Sequence, residues 1–186
     1  MAKLIYVSNV SLDGFIEDEH GSFEWTPPDD EQFAFITDLI RPVGTYLYGR
    51  RLYETMAVWE TEPALAAQSE LRANFAHVWQ AADKIVYSAT LDAVSTAKSR
   101  LEPRFDPNVI REMKGTASRD LMVGGANLAA HAFNARLIEE CHLFICPAVV
   151  GRGKPSLPSE LRAKLELLDE RRFDNGVVYV RHRIAI

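Results

Sequence analysis

Three short segments carry residues suited to binding or catalysis, and each lies beside a short apolar run. In the first segment, Gly49 closes the run Thr45 to Tyr48, and Arg50 and Arg51 open a helical pattern. Backbone N–H groups at a helix start attract anions, and guanidinium groups bind phosphate through paired hydrogen bonds. The segment is therefore suited to a phosphate group. A glycine-terminated strand followed by two solvated arginines is an equally good interpretation.

The second segment runs from Val123 to Leu128 and places Gly124 and Gly125 between a buried run and a helical pattern. Because glycines have no side chains, such a pair lets the backbone approach a pyrophosphate closely at the start of a helix. The same pair also occurs in ordinary turns, and the motif alone favours a turn.

The third segment, Ser8 to Ile16, is expected to leave a central strand and to run along the mouth of any site. It contains the pair Asp13-Gly14. Asp13 is the candidate catalytic residue, as an acid or as a hydrogen-bond acceptor. Asp-Gly more commonly marks a turn, so a turn aspartate is the alternative interpretation.

The elements that must position these segments alternate between strand and helix. Apolar runs rich in β-branched and aromatic residues predict strands, and apolar residues at helical spacing predict helices. The predicted strands are Leu4 to Val7, Thr45 to Tyr48, Lys84 to Ser88, Val94 to Leu101, Leu121 to Val123 and His142 to Val150. One predicted helix follows the capping pair Asp29-Asp30. The other predicted helices span Arg50 to Met56, Leu71 to Ala82, Pro107 to Lys114 and Ala126 to Ile138.

The last part of the chain has a different pattern. Asn175-Gly176 separates Leu165 to Phe173 from Val178 to Ile186, where apolar and polar residues alternate. Asn-Gly between two such runs predicts a β-hairpin. Together the elements predict an α/β fold with three layers, in which a mixed, mostly parallel central sheet ends in an antiparallel hairpin. We expect a single domain over residues 1–186.

Composition limits the classes of function that the chain can have. The 186 residues have a net charge of −5 and are 47% hydrophobic, which is typical of a soluble globular domain. The negative charge argues against nucleic acid as a partner, and no apolar run is long enough to cross a membrane. Two cysteines cannot form a disulfide framework, and the five histidines share no metal-binding spacing. We therefore expect a cytoplasmic protein without a bound metal.

Five segments follow one another in a specific order. They are Ser11-Leu-Asp-Gly-Phe-Ile16, Gly49-Arg50-x-x-Tyr53-Glu54, Lys84-Ile-Val-Tyr-Ser88, Val123-Gly-Gly125 and Glu140 to Gly153. In this order they resemble the dihydrofolate reductase-like superfamily. The closer match is its branch akin to the C-terminal reductase domain of the riboflavin-biosynthesis deaminase-reductase. The resemblance runs nearly from end to end and implies a dihydrofolate reductase-like fold, as in small stand-alone bacterial members.

The resemblance implies a binding site for NADPH. Gly49 and Arg50 would face the part of NADPH that carries the 2′-phosphate and the pyrophosphate. Ser88 would help to hold the 2′-phosphate. An arginine at that position favours NADPH over NADH by charge pairing. The Gly124-Gly125 peptide, often cis in this superfamily, would face the cofactor, and the sequence leaves its isomer open. The implied cofactor-binding residues are Val10, Gly14, Phe15, Gly49, Arg50, Arg51, Ser88, Gly124, Gly125, Ala126, Asn127 and Leu128.

The resemblance further implies hydride transfer from NADPH to a C=N or C=O bond of a small heterocycle, pteridine-like or ribosylaminopyrimidine-like. Folate reductases carry a carboxylate on the first helix, whereas the corresponding position here is near Phe33. The preferred interpretation of Asp29 and Asp30 is that they cap the start of this helix. This departure argues against folate reduction. The residues that could line an aromatic substrate pocket are Trp25, Phe33, Tyr53 and Trp59.

Two other functions remain open. A nucleotide-binding regulatory module without turnover would account for the missing carboxylate of the first helix, and a partner-binding domain would use the C-terminal hairpin. The resemblance also implies a homodimer, with residues near Val177 to Ile186 at the contact. Glu140 is a second candidate for a polar group in the site, although a surface charge is its favoured interpretation. The sequence does not determine the substrate.

Overall fold

A computed structural model describes residues 1–185 as a main sheet of eight strands with a second sheet of two strands beside it. The strands are β1 (Leu4–Ser11), β2 (Phe15–Asp18), β3 (Val43–Gly49), β4 (Asp83–Tyr87), β5 (Ser99–Glu102), β6 (Asp120–Gly124), β7 (Glu140–Cys146), β8 (Gly153–Pro155), β9 (Lys164–Arg172) and β10 (Val178–Ala185). The helices are α1 (Asp30–Ile40), α2 (Arg50–Thr61), α3 (Pro63–Ala66), α4 (Glu70–Ala81), α5 (Pro107–Thr116) and α6 (Ala126–Asn134).

β1 lies near the middle of the main sheet and pairs in parallel with both β6 and β7. The order across the sheet is β5-β4-β3-β6-β1-β7-β10-β9. All pairs from β5 to β7 are parallel, whereas β10 is antiparallel to both of its neighbours. The predicted mixed, mostly parallel sheet is therefore confirmed. The predicted hairpin is also confirmed by β9 and β10, although Ile186 lies outside the described residues.

Helices cover both faces of the sheet and give the predicted three layers. Leu4 and Tyr6 of β1 pack in one core cluster with Leu128 of α6, whereas Ile5 packs in another with Phe75 of α4. Because successive side chains of a strand point to opposite faces, β1 is buried on both sides. α1, α2 and α4 cover one face, and α5 and α6 cover the other. Among the helices of residues 1–185, none is long and apolar enough to cross a membrane.

Side-chain caps distinguish the helix starts. Asp29, Ser69 and Asp106 accept hydrogen bonds from backbone N–H groups in the first turns of α1, α4 and α5. The predicted N-cap before α1 is thereby confirmed. α2 and α6 begin after Gly49 and Gly125, and neither helix has a side-chain cap. Their first N–H groups are left for another partner.

Two strand boundaries differ from the prediction. Ser8 to Ser11 do not leave the central strand but extend β1, because they continue to pair with β7. The predicted strand His142 to Val150 begins earlier, at Glu140, and ends at Cys146. Pro147 follows, and a proline cannot donate a hydrogen bond to a neighbouring strand.

Other differences concern short elements. The predicted helix Ala126 to Ile138 ends at Asn134, because Arg136 has the left-handed backbone conformation (φ 54°) that an α-helix does not contain. Of the predicted strand Val94 to Leu101, only the last part is extended, in β5. The sheet formed by β2 and β8 was not predicted, since these strands have four and three residues.

Glu140 is buried rather than a surface charge, which corrects the favoured interpretation of the sequence. It is 4% exposed, and its carboxylate accepts hydrogen bonds from Lys3 Nζ at 2.7 Å and Arg181 Nε at 2.8 Å. His142 Nε2 lies 3.3 Å from the same carboxylate. Burial by itself raises the pKa of Glu140, but the two cations outweigh burial and lower the pKa to about 2. Glu140 therefore belongs to a buried ion cluster at the amino end of β7.

Candidate functional site

The carboxyl ends of β3, β6 and β1 lie at one edge of the main sheet, and we call the space beyond them the crevice. β3 and β6 end at the same level, since Tyr48 pairs with Gly124. β1 is longer, because its Tyr6 pairs with Val123 and Ser8 to Ser11 extend roughly 13 Å past the end of β6. The chain leaves β1 toward α1 on one face and leaves β6 toward α6 on the other face. The crevice is thus at a topological switch point, where open α/β sheets bind ligands.

Glycines expose the backbone at both helix starts in this crevice. A Cβ added to Gly49 would meet no atom within 4 Å, and one added to Gly125 would meet only Leu52 Cβ, at 3.9 Å. Gly125 also has a φ of 90°, which favours glycine. Gly124 has a packing role, because a Cβ there would lie 2.4 Å from Leu52 Cδ2 of α2. The Gly124-Gly125 peptide is trans, like every other peptide bond in residues 1–185.

Arg50 and Ser88 meet around Thr90, at the carboxyl ends of β3 and β4. Arg50 Nη1 donates to Thr90 Oγ1 at 3.1 Å, and Arg50 Nε donates to Glu54 Oε1 at 2.8 Å. Ser88 Oγ accepts from Thr90 N at 3.2 Å and from Leu91 N at 3.0 Å. The fold therefore brings together the two residues that the resemblance assigns to a 2′-phosphate. Thr90 was not among the predicted residues, and its only sequence signal is a hydroxyl group shortly after a strand end.

Arg51 points away from Arg50, toward β2. Its Nη1 lies 3.1 Å from Glu17 Oε1, and Lys154 Nζ of β8 lies 2.8 Å from the same oxygen. The two consecutive arginines of α2 thus serve different sides of the crevice. Sequence reasoning treated them as one phosphate-binding pair, because the partner Glu17 becomes a neighbour only through the fold.

Asp13 joins two loops at the end of β1. Its carboxylate accepts hydrogen bonds from Ser11 Oγ at 2.6 Å, from Gly151 N at 2.7 Å and from Val150 N at 3.2 Å. The bond from Ser11, together with the two backbone N–H groups, lowers the pKa of Asp13 below its ordinary value. Asp13 is therefore ionised at neutral pH and fixes the turn after β1 to the loop before β8.

The other predicted residues after β1 border this turn. Val10 is a buried residue of β1, 3% exposed. Gly14 has a φ of 95° with open space around it, so the turn requires a glycine for its conformation. Phe15 is half-buried at the start of β2, and its N–H donates to Ser11 Oγ at 2.9 Å.

The first turn of α6 presents mainly its backbone to the crevice. Ala126 and Leu128 are buried, with 8% and 7% exposure, and Leu128 packs against the sheet. Asn127 between them is exposed. Any contribution of Ala126 and Leu128 to ligand binding must therefore come from their N–H groups.

The four aromatic residues predicted for a substrate pocket fall into two core clusters. Phe33 and Trp59 pack against each other and against Phe75, with ring centroids 4.6–5.8 Å apart. Trp25 packs in a separate cluster beneath α1. Tyr53 is 2% exposed, and its hydroxyl accepts hydrogen bonds from the backbone of residues 95 and 96. Phe33, Trp59 and Tyr53 thus share one core cluster, whereas Trp25 lies in another.

The fold and the crevice together define an α/β protein of dihydrofolate reductase-like architecture. The chain belongs to the RibD C-terminal domain family, whose profile matches residues 2–179. This confirms the family resemblance of the five sequence segments. The uncharacterized protein YyaP of Bacillus subtilis (strain 168) is 27% identical over 179 residues, which cover 96% of this chain and 93% of YyaP.

Solved structures share the fold at low sequence identity. A protein from Shewanella sp. PV-4, described as a candidate riboflavin biosynthesis protein, superimposes with a TM-score of 0.74 at 18% identity, over 100% of both chains. A pyrimidine reductase-like protein from Corynebacterium diphtheriae has a TM-score of 0.65 at 10% identity, over 100% of this chain and 92% of its own. A deaminase/reductase from Thermotoga maritima has a TM-score of 0.65 at 14% identity, over 99% of this chain and 57% of its own. Similarity at this level of identity establishes the fold.

Proposed function

We propose that this chain is an NADPH-dependent reductase that transfers a hydride to a C=N or C=O bond of a small heterocycle, pteridine-like or ribosylaminopyrimidine-like. The observation that carries the proposal is the pair of uncapped helix starts at Gly49 and Gly125, with Arg50 and Ser88 beside the first. Two such starts at one switch point suit the phosphates of a dinucleotide. Membership of the RibD C-terminal domain family supports a reductase.

The residues around the crevice fit NADPH. The free N–H groups of α2 and α6 would bind the pyrophosphate, and Arg50 and Ser88 would hold the 2′-phosphate. The Arg50 side chain is 46% exposed and therefore within reach of a ligand. Because NADH lacks the 2′-phosphate, a charge-assisted contact with Arg50 favours NADPH. Val10 and Phe15 would border the nicotinamide.

NADPH supplies the hydride when it is bound, and the protein positions the reactants and limits access of water. In this proposal Asp13 is a positioning residue and not a proton donor, because its carboxylate is ionised and already accepts three hydrogen bonds. It fixes the turn that precedes Phe15 and so holds the wall beside the nicotinamide.

The first helix favours a substrate other than dihydrofolate. Its buried polar side chain near the crevice end is Gln32, whose Oε1 accepts a hydrogen bond from Asn175 Nδ2 at 2.9 Å. Asp29 caps the helix, and Asp30 and Glu31 are exposed. An amide cannot exchange a proton with a ring nitrogen as a carboxylic acid can. The buried polar group at this end of α1 is therefore neutral.

A fluorescence titration tests the cofactor site. We expect the wild type to bind NADPH more tightly than NADH, and Arg50→Ala to weaken NADPH binding about tenfold with little effect on NADH. The control is Arg162→Ala, which removes an exposed arginine near the opposite end of α6 and should change neither affinity. Equal binding of both nucleotides, or an unchanged NADPH affinity in Arg50→Ala, would contradict the proposed site.

A regulatory module that binds NADPH without turnover is the second candidate. It is favoured by the neutral Gln32 on α1 and the ionised Asp13, since neither supplies a proton to a substrate. The two candidates differ in NADPH oxidation with a panel of imines, pteridines and ribosylaminopyrimidines. Tight NADPH binding without oxidation by any of them would favour the regulatory module.

We also propose that the protein is a homodimer, because one face of the C-terminal hairpin is uncovered. Leu165, Leu167 and Val178 are 51%, 52% and 38% exposed. Leu165 pairs with Ile184 and Val180 pairs with Leu143, so this face continues toward β7, where Ile184 and Leu143 are half-buried against the core. A face without a dominant charge is complementary to itself, as a two-fold symmetric interface requires.

Sedimentation equilibrium tests the dimer. We expect a mass of twice 20.9 kDa for the wild type and a shift toward 20.9 kDa for Leu167→Glu, because a charge would enter an apolar contact. Val109→Glu is the matched control, since Val109 is 47% exposed on α5. A wild-type mass of 20.9 kDa would rule out the dimer, and an equal effect of both substitutions would rule out this surface.

A further inference from the structure

Glu17 is a mostly buried carboxylate held between two cations at the mouth of the crevice. Its side chain is 14% exposed, and the same oxygen lies 3.1 Å from Arg51 Nη1 and 2.8 Å from Lys154 Nζ. Arg51 itself is 67% exposed and belongs to the first turn of α2. One acidic side chain thus engages a guanidinium that lies beside an uncapped helix start.

The Glu17–Arg51 bridge crosses the crevice. Glu17 is in β2, which follows the carboxyl end of β1, and Arg51 follows the carboxyl end of β3. β6 lies between β1 and β3, so the 3.1 Å bridge joins two segments that follow the strands on either side of the carboxyl end of β6. This is where α6 begins, after Gly125. A dinucleotide that uses the N–H groups of both α2 and α6 must therefore lie next to this bridge.

The position of Glu17 is fixed by close pairing of β2 with β8. Gly153 makes this pairing possible, because a Cβ at Gly153 would lie 1.9 Å from the carbonyl oxygen of Glu17. Glu17 is paired with Lys154 in this short sheet. Its carboxylate is therefore presented by a rigid backbone, and not by a freely moving surface side chain.

We propose that Glu17 is a positioning residue that occupies Arg51 with an internal carboxylate, and that the phosphates of a bound dinucleotide compete with Glu17 for this guanidinium. The inference rests on the proposed function, since it needs a dinucleotide in the crevice. It assigns different tasks to the two arginines. Arg50 distinguishes NADPH from NADH, whereas Arg51 acts on the phosphates that both nucleotides share.

Two substitutions that break the Glu17–Arg51 bridge distinguish competition for the Arg51 guanidinium from a purely structural anchoring of β2. Glu17→Gln removes the competing charge and frees Arg51, so it should tighten the binding of NADPH and NADH alike, by about twofold to fivefold, the size expected for one partly exposed ion pair. Arg51→Gln breaks the bridge without freeing a cation and should not tighten either nucleotide. If the bridge only anchors β2, both variants will change affinity in the same direction, which would overturn the proposal.

Glu19→Gln is the matched control for net charge. Glu19 lies two positions from Glu17, is exposed, and forms no ion pair with Arg51 or Lys154 within residues 1–185. It should leave the affinity for both nucleotides unchanged. Tightening by Glu19→Gln equal to that by Glu17→Gln would show a general charge effect and would overturn the specific role of Glu17.

Inorganic pyrophosphate separates a failure of this inference from a failure of the proposed function. A protein that binds neither nucleotide contradicts the proposed function. The role of Glu17 is still tested by pyrophosphate binding, followed by calorimetry, which should be tighter in Glu17→Gln than in the wild type and in Glu19→Gln. Equal pyrophosphate affinity in all three proteins would overturn the inference whatever the nucleotide result.

Discussion

Replacing Glu140 by glutamine is expected to lower the free energy of unfolding by about 3 kcal/mol at pH 7. The magnitude follows from the pKa of Glu140, which falls from an ordinary 4.5 to about 2 in the folded protein. Each pKa unit corresponds to about 1.4 kcal/mol, so the charged carboxylate stabilises the fold by about 3 kcal/mol. Glutamine has nearly the same size, so packing changes little and the lost charge dominates.

The direction in which the stabilisation by Glu140 changes with pH determines the pH at which the variant should be measured. Because the folded pKa is below the unfolded pKa, the stabilisation is fully present above pH 4.5 and is lost as pH falls through 2. A measurement at pH 7 therefore contains the whole effect. At pH 7 the neighbouring His142, whose pKa is about 4, is neutral and does not contribute a second titration.

Urea unfolding followed by circular dichroism measures the difference between the two proteins. The matched control is Glu166→Gln, which removes one partner of the exposed pair with Arg183, whose side chains are 58% and 55% exposed. An exposed pair contributes at most about 1 kcal/mol. If Glu140→Gln loses no more stability than Glu166→Gln, the buried carboxylate is not the stabilising charge and the reasoning from its pKa is wrong.

Two further predictions concern stability. Burial, only partly offset by Glu140, lowers the pKa of His142 from 6.5 to about 4, so the unfolded chain binds the proton first as pH falls. Stability should therefore decrease by up to about 3 kcal/mol between pH 6.5 and pH 4, and urea unfolding of His142→Gln should show a shallower pH dependence. Gly124→Ala should destabilise the protein by about 1–3 kcal/mol, because the new Cβ would lie 2.4 Å from Leu52 Cδ2 and 3.1 Å from the ring of the buried Tyr48. Gly49→Ala, which meets no atom within 4 Å, should have little effect on thermal unfolding and serves as the control.

Local patterns predicted the elements well because their causes act over a few residues. Asn175-Gly176 determines a two-strand hairpin through the turn that it forms, and β9 and β10 lie within one residue of their predicted bounds. Asp29 caps α1 because its side chain needs to reach only the N–H of Gln32, three residues away. The ordered glycine segments at 49 and 124 likewise indicated two helix starts at strand ends.

The partners of charged side chains could not be predicted in this way. Sequence reasoning favoured a surface position for Glu140, whereas the fold buries it against Lys3, 137 residues away in the chain. It treated Arg50 and Arg51 as a pair, whereas Arg50 binds Thr90 and Arg51 binds Glu17. Which charge meets which depends on the order of strands in the sheet, and that order has no local signature.

The sequence by itself determined the alternation of strands and helices, the hairpin, and the glycine-rich helix starts, since each follows from backbone preferences and side chains within about four residues. The tertiary structure alone decided how these parts form a site. By placing β6 between β1 and β3, it brings Gly49 and Gly125 to one crevice and sets Glu17 against Arg51 across it. The physical reason is that electrostatic and packing energies depend on distances in space, and chain folding sets those distances independently of sequence separation.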